Sequence, residues 1–177
     1  MTLTWLVATG CSQPPAKPAA SASASTAQPA KAPAADAGRY PTQAQGTLPT
    51  IKLWVGTNEV TTELAVTQVQ VQTGMMWRTN MAEMHGMLFI FDRPHRAGFW
   101  MKNTLLPLSC AYIDKDGIVL EIHDMKPRDE NSIEAGSEDV QYVLEVNQGW
   151  FQRHGVGPGA LMRTERGTFK DTFFKGR

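Results

Sequence analysis

Arg78, Lys102, Asn103 and Glu145 are polar residues set among aromatic and aliphatic neighbours. A polar side chain in such surroundings is either paired or held ready for a ligand. Together with Trp100, and with Trp150 further along, they make a candidate pocket. A guanidinium offers paired donors, an amide offers a donor and an acceptor, and an indole offers a stacking face. That set suits a small carboxylate or the hydroxyls of a sugar. Glu145 would hold Lys102 or Arg78 in position. The competing reading is that these groups form buried ion pairs and turn caps that fix strand register.

A second constellation crowds Met75, Met76, Met81, Met84, His85 and Met87 into one short stretch. Thioethers and an imidazole are soft ligands, so Met81, Met84 and His85 are candidates for holding copper in an oxidising compartment. Against this, methionine packs adaptably and fills core gaps without any metal. No cofactor other than copper is expected. For catalysis, the four histidines (His85, His95, His123, His154) lack metal-ligand spacing, and neither a nucleophile elbow nor a phosphate loop is present. A small hydrolase using Glu121 and Glu145 as paired carboxylates is the weaker alternative, since strands carry scattered glutamates routinely.

The elements that must position these residues follow from period. TIKLWV (50–55) alternates polar and apolar and predicts a half-buried strand, and a second strand covers about Thr61–Ala65, joined through Gly56-Thr57-Asn58. In TQVQVQTG the alternation competes with a capping box from Thr67 to Gln70 and a stop at Gly74, which together predict a short helix. MLFIF (87–91) is a continuous apolar strand, with turn chemistry in DRPHRAG after it. GFWMKNT, LSCAYID and GIVLEIHDM read as three more strands, the last two turning through Asp116-Gly117. Residues 127–139 read as a polar surface loop. QYVLEVN reads as a strand, NQGWFQRHG as a helix capped by Asn147 and stopped by Gly155, and VGPGALM as a turn into a final strand. The expected fold is mostly β: one small antiparallel sandwich or barrel-like domain with one or two short helices.

The chain's first part reads differently. MTLTWLVATGC, residues 1–11, runs from a short apolar stretch into small residues and a cysteine, resembling a lipoprotein signal that ends at a lipidation site, Cys11. No basic residue precedes the apolar run, and Ala8 stands where a larger aliphatic is preferred; these features point to a start upstream of Met1 or to a degenerate signal. Residues 12–46 form an Ala/Pro/Ser-rich tether with no aliphatic larger than alanine, unable to bury enough surface to order itself. The folded domain is expected over 47–177. The expected localisation is the periplasmic side of a bacterial cell envelope, with membrane attachment through the lipid anchor. Ser12 after the cysteine, rather than Asp, favours the outer membrane. With Cys11 lipidated, Cys110 has no intramolecular disulfide partner and reads as a buried, inert thiol.

Four segments in order, TGMMWR (73–78), HGMLFIF (85–91), FWMKNTLLPLSCAYID (99–114) and YVLEVNQGWFQRHGVGPGALM (142–162), resemble the family known as domain of unknown function 192. The resemblance implies a small, mostly β, often exported domain without an established activity. The chain departs from that family at Ser109, where an Asp is usual, at Met76, and in the Met-rich TNMAEMH.

Charge narrows the partners. Of 17 basic and 17 acidic residues, Lys17, Lys31, Arg39 and Asp36 precede Tyr40, which leaves 14 basic and 16 acidic groups and a net of −2 over 40–177. Such a surface carries no electrostatic footprint for nucleic acid. The expectation is an envelope binding or accessory domain for a polar small molecule or glycan, or for a protein partner. Copper binding and a small hydrolase acting on envelope material are the alternatives.

Overall fold

The computed structural model describes residues 38–176; Cys11, the signal-like segment and the tether up to residue 37 lie outside the described residues. Nine strands and three short helices follow in the order β1 (Thr50–Val55), β2 (Asn58–Ala65), α1 (Gln68–Thr73), β3 (His85–His95), β4 (Gly98–Phe99), β5 (Leu108–Ile113), β6 (Val119–Met125), β7 (Ile133–Glu134), β8 (Val140–Asn147), α2 (Trp150–Arg153), β9 (Met162–Thr164) and α3 (Phe169–Phe173). Seven strands form one sheet in the order β6-β5-β8-β3-β2-β1-β9, curled into a half-barrel, while β4 and β7 make a separate two-stranded ribbon. The fold is mostly β, as the periodicities require.

Both faces of the curled sheet are covered. All seven strands contribute to an inner core that includes Leu53, Val60, Leu88, Ala111, Val119, Leu144 and Met162, capped by Trp150, Phe151 and Phe169. The opposite face carries Met87, Phe89, Cys110, Tyr112 and Val143, packed against Met75, Ala97, Met101 and Ala135 from the connecting segments. Burial on two faces explains why β8 is buried along almost its whole length, so that its run is continuous rather than alternating.

Several elements differ from the expectations. Strands β2 and β3 pair in parallel, Thr61 beside His85 through Ala65 beside Phe89. A parallel pair needs a crossover, and α1 supplies it. The α1 capping box is present, with the Thr67 hydroxyl accepting from the Gln70 amide and the Gln70 side chain accepting from the Thr67 amide. DRPH is the exposed end of β3 rather than a turn. A register shift between Ile90 and His95 accommodates Pro94, which has no amide to donate. In GFWMKNT only Gly98 and Phe99 are strand. The remainder turns because Asn103 takes a left-handed backbone at φ 55°. The loop 127–139 contains β7. Gly149, not Asn147, caps α2. Asn147 ends β8 and donates instead to the Met81 and Ala82 carbonyls, at 3.2 and 3.1 Å. A third helix, α3, adds Phe169, whose ring meets Tyr142 edge-on at 4.7 Å.

Folded contacts begin ahead of residue 47. Tyr40 packs on Trp100, Pro41 accepts from the Trp77 indole at 2.7 Å, and Gln45 donates to the carbonyls of Gln70 and Gly74. Tyr40 and the residues after it therefore lie on the domain.

Candidate functional site

Glu145 sits in the middle of β8, between Met87 of β3 and Cys110 of β5. Strand alternation turns its side chain to the outer face, where it is 4% exposed. Burial alone raises its carboxyl from an ordinary 4.5 to about 8, so the acid is held mostly neutral at pH 7. Glu145 forms one wall of a cavity of about 220 Å³ enclosed by the end of α1, the end of β3 and the segment after β4. The other walls are mixed, with apolar surface from Met75, Met76, Phe89, Phe91, Phe99 and Trp100 and polar groups from Gln72, Thr73, His95 and Thr104. Phe89 and Phe99 meet edge-on at 4.8 Å, and His95 at the β3 end meets Phe91 at 4.5 Å. Burial is the cause of the Glu145 shift. The Cys110 thiol is pushed up to about 12, first by burial and then by the nearby Glu145 charge, and it stays protonated.

The five residues expected to share one pocket divide among several places. Trp100 and Glu145 line the cavity, whereas Arg78, Lys102 and Asn103 do not. Arg78 makes a two-pronged ion pair with Glu63 at 2.5 and 2.8 Å. Burial pushes the Glu63 carboxyl up, but the Arg78 hydrogen bond, the Leu48 amide and the Arg78 charge outweigh it and hold it below its usual value. Lys102 donates to Glu130 at 2.9 Å and lies over the rings of Tyr40 and Trp100, at 4.9 and 5.6 Å. The partners expected for Glu145 are therefore engaged with other carboxylates. Trp150 belongs to the inner core, with its ring stacked on His154.

Asn103 lies instead in a more open cleft of about 320 Å³ with Trp77, Arg128 and Glu130. Among the described residues, Trp77, Asn103 and Arg128 are the non-glycine positions with positive φ, at 63°, 55° and 62°. All three meet at this cleft. Backbone bonds from Trp77 to Asn103 at 2.9 Å and from Arg128 to Thr104 at 3.1 Å hold it together.

Methionines of the constellation divide between the two cores. Met81 packs against the outer-face core and Met84 against the inner one, while His85 is exposed. No cluster of three or more His, Cys, Asp or Glu placed to hold a metal occurs among the described residues. Glu121 does not share the Glu145 cavity. It pairs with His123 at 2.8 Å and accepts from the Gly136 amide. At Ser109 the hydroxyl donates to the Asp124 carboxylate and accepts from the Gly149 amide at 2.8 Å. Asp124 on β6 thus brings a carboxylate to the position whose own Asp is absent.

The aromatic and methionine walls escaped the sequence reading because Phe89, Met75 and Met76 look like ordinary core residues. The signal that could have found them is a lone glutamate in the buried run YVLEVN, which demands something on the outer face to receive it.

Solved structures similar to this chain include a protein of unknown function from Novosphingobium aromaticivorans DSM 12444. It is 33% identical, with the match covering 66% of this chain and 86% of that one at a TM-score of 0.63. Another, from Sinorhizobium meliloti 1021 and described as a candidate transcription regulator, is 37% identical over 68% of this chain and 98% of its own, with a TM-score of 0.62. No curated protein matches. The family described as DUF192, Uncharacterized ACR, matches residues 51–164, more than half of the chain and nearly all of the sheet. The segments that build the Glu145 cavity fall within that match, and the chain belongs to the DUF192 family.

Proposed function

We propose that the domain binds a polar small molecule in the Glu145 cavity and is held at the bacterial envelope, on the periplasmic side of the outer membrane, by a lipid on Cys11. The observation that carries the binding reading is a buried carboxyl without a charge partner on the wall of a cavity lined by aromatic rings. An apolar site with one placed polar group is the usual form of a small-molecule site. The envelope reading is supported by the TGC run and the Ala/Pro/Ser tether that follows it. A glycan is the second reading, favoured by the cleft where Trp77, Asn103 and Arg128 converge in left-handed conformations. Backbone strain of this kind gathers where binding requires it. A net of −2 over residues 40–177 offers DNA phosphates little attraction and speaks against a DNA-binding role of the kind the description of the Sinorhizobium protein suggests.

One screen tests these readings. The full chain carrying Cys11→Ser is melted against small polar fragments and cell-wall sugars, since a ligand of the native state raises the melting temperature. A fragment shift lost in Ala97→Leu, which fills the cavity, supports the first reading, and a sugar shift lost in Trp77→Ala supports the second. If no fragment or sugar moves the transition, the binding reading fails. The anchor is checked by feeding cells an alkyne fatty acid: label on the wild type and none on Cys11→Ser is expected, and an unlabelled wild type refutes it.

A further inference from the structure

The geometry points to a small organic ammonium as the ligand of the Glu145 cavity, with Glu145 as its counter-ion and the rings of Phe89, Phe91, Phe99 and Trp100 as the walls that receive the cation. This rests on the cavity being a ligand site at all. The first argument is charge. Among the described residues no lysine or arginine lines the cavity, and His95 is the one basic side chain there. An anionic ligand would find no lysine or arginine among these residues to balance its charge, only the proton of Glu145. Arg78 and Lys102, expected from the sequence to share this pocket, pair elsewhere, Arg78 with Glu63 and Lys102 with Glu130.

The second argument is the wall chemistry. Four aromatic rings and two thioethers surround one carboxyl group. The faces of aromatic rings carry negative potential and attract a cation directly, and desolvation strengthens the attraction. A sugar would need a full ring of hydrogen-bonding groups, and the polar side chains here are Gln72, Thr73, His95, Thr104 and Glu145. The Thr73 and Thr104 hydroxyls already donate to backbone carbonyls at 2.8 and 3.3 Å. A purely apolar ligand would leave Glu145 without a partner. An ammonium satisfies both features at once, donating to the carboxylate while its carbon body packs on the rings. As it binds, Glu145 gives up its proton to solvent. Of the neighbouring groups, Cys110 stays a neutral thiol, and the His95 ring stands against Phe91 at the β3 end of the cavity.

The third argument is size. A cavity of about 220 Å³ has room for a small molecule. An apolar cavity of roughly 150 Å³ holds benzene, so a benzyl or short alkyl ammonium is of the right order.

The test uses the full chain carrying Cys11→Ser and pairs of isosteric probes: benzylamine with benzyl alcohol, and butylamine with butanol, titrated calorimetrically at pH 7. The ammonium member of each pair is expected to bind about tenfold more tightly, the preference of one charge-assisted contact. The preference should fall to about one in Glu145→Gln, which keeps the shape and removes the charge. Trp100→Leu should weaken the amine more than the alcohol. Equal binding of amine and alcohol by the wild type overturns the ammonium inference and leaves the cavity reading standing. A preference that survives Glu145→Gln overturns it too. If no probe binds and no fragment of the broader screen shifts the melting transition, the cavity reading falls and this inference falls with it.

Discussion

A carboxyl group between two central strands must be paired or protonated, and for Glu145 the second holds. The native state keeps its proton up to about pH 8, whereas the unfolded chain releases it near 4.5. The native state therefore binds more protons between these values, and stability must fall as pH rises. The contribution is complete below about pH 4.5 and is lost as pH passes through 8, at about 1.36 kcal/mol for each unit of separation between the two values. Glu63 and Glu121 act in the opposite direction, since both are held low. Burial raises each of them, but the hydrogen bonds and charges of Arg78 and His123 outweigh it. Their stability is lost only as pH falls below about 4.5, outside the window that Glu145 controls. The melting temperature of the wild type is thus expected to drop from pH 5 to 8, and Glu145→Gln, a mimic of the protonated acid, should flatten that drop. Parallel pH profiles for the two proteins would show that Glu145 titrates normally. Glu145 and Trp100, which line the cavity, could be singled out in the sequence because a charged or amphipathic side chain in an apolar run stands out. Arg78 and Lys102 stood out for the same reason, yet their partners Glu63 and Glu130 come from distant segments. Spacing along the chain does not reveal such pairings.

At the level of elements, α1 shows how local signals and tertiary contacts share the work. Its capping box and its glycine stop were readable, because both are interactions within a few residues. The parallel pairing of β2 with β3 was not, because period 2 is the same in either direction and only the length of the crossover differs. FWMKNT looked like a strand by composition, but its backbone bonds run to Asp129 and Trp77, contacts that no local pattern encodes. Gly74 joins the two kinds of information. Its backbone, at φ 47° and ψ −130°, lies where side-chain-bearing residues are strained. A methyl group there would also stand 3.3 Å from the Phe89 ring on the cavity wall. Gly74→Ala is expected to destabilise the fold by about 1–3 kcal/mol, read from chemical denaturation. It should also weaken any cavity ligand, because Phe89 must move. Wild-type stability in this variant would show that the end of α1 is free to relax.

For the whole molecule, the decisive step is how far the sheet closes on itself. Strands β6 and β9 are its edges, and open edges invite pairing with other chains. Here the edges approach each other: Ile118 bridges Leu161, the Val119 amide donates to Ala160 at 2.9 Å, and the Met162 amide donates to Gly117 at 2.8 Å. The Gly117 turn makes this approach possible. Its Asp-Gly signature was legible as a hairpin turn, but the same glycine also lets Met162 come close, a role that depends on a segment more than forty residues away. With φ at 86°, a Cβ on Gly117 would lie 2.8 Å from the Met162 carbonyl oxygen, a backbone atom that cannot swing aside. Gly56 serves as the internal control, since its φ of 61° is also positive and its Cβ would meet nothing within 4 Å. Gly56→Ala pays only the conformational strain of a left-handed alanine, of order 1 kcal/mol. Gly117→Ala adds the collision and is expected to cost about 1–3 kcal/mol more. Hydrogen exchange should locate the difference: the amides of Val119 and Met162 should open sooner in Gly117→Ala, while those of β5 and β8 at the centre of the sheet keep their relative protection. Equal destabilisation by the two alanines, with no local change in exchange, would mean that the sheet holds its curl without this seam. A selective opening at Val119 and Met162 would instead show that the close approach of Gly117 to Met162 is what holds these ends of β6 and β9 together.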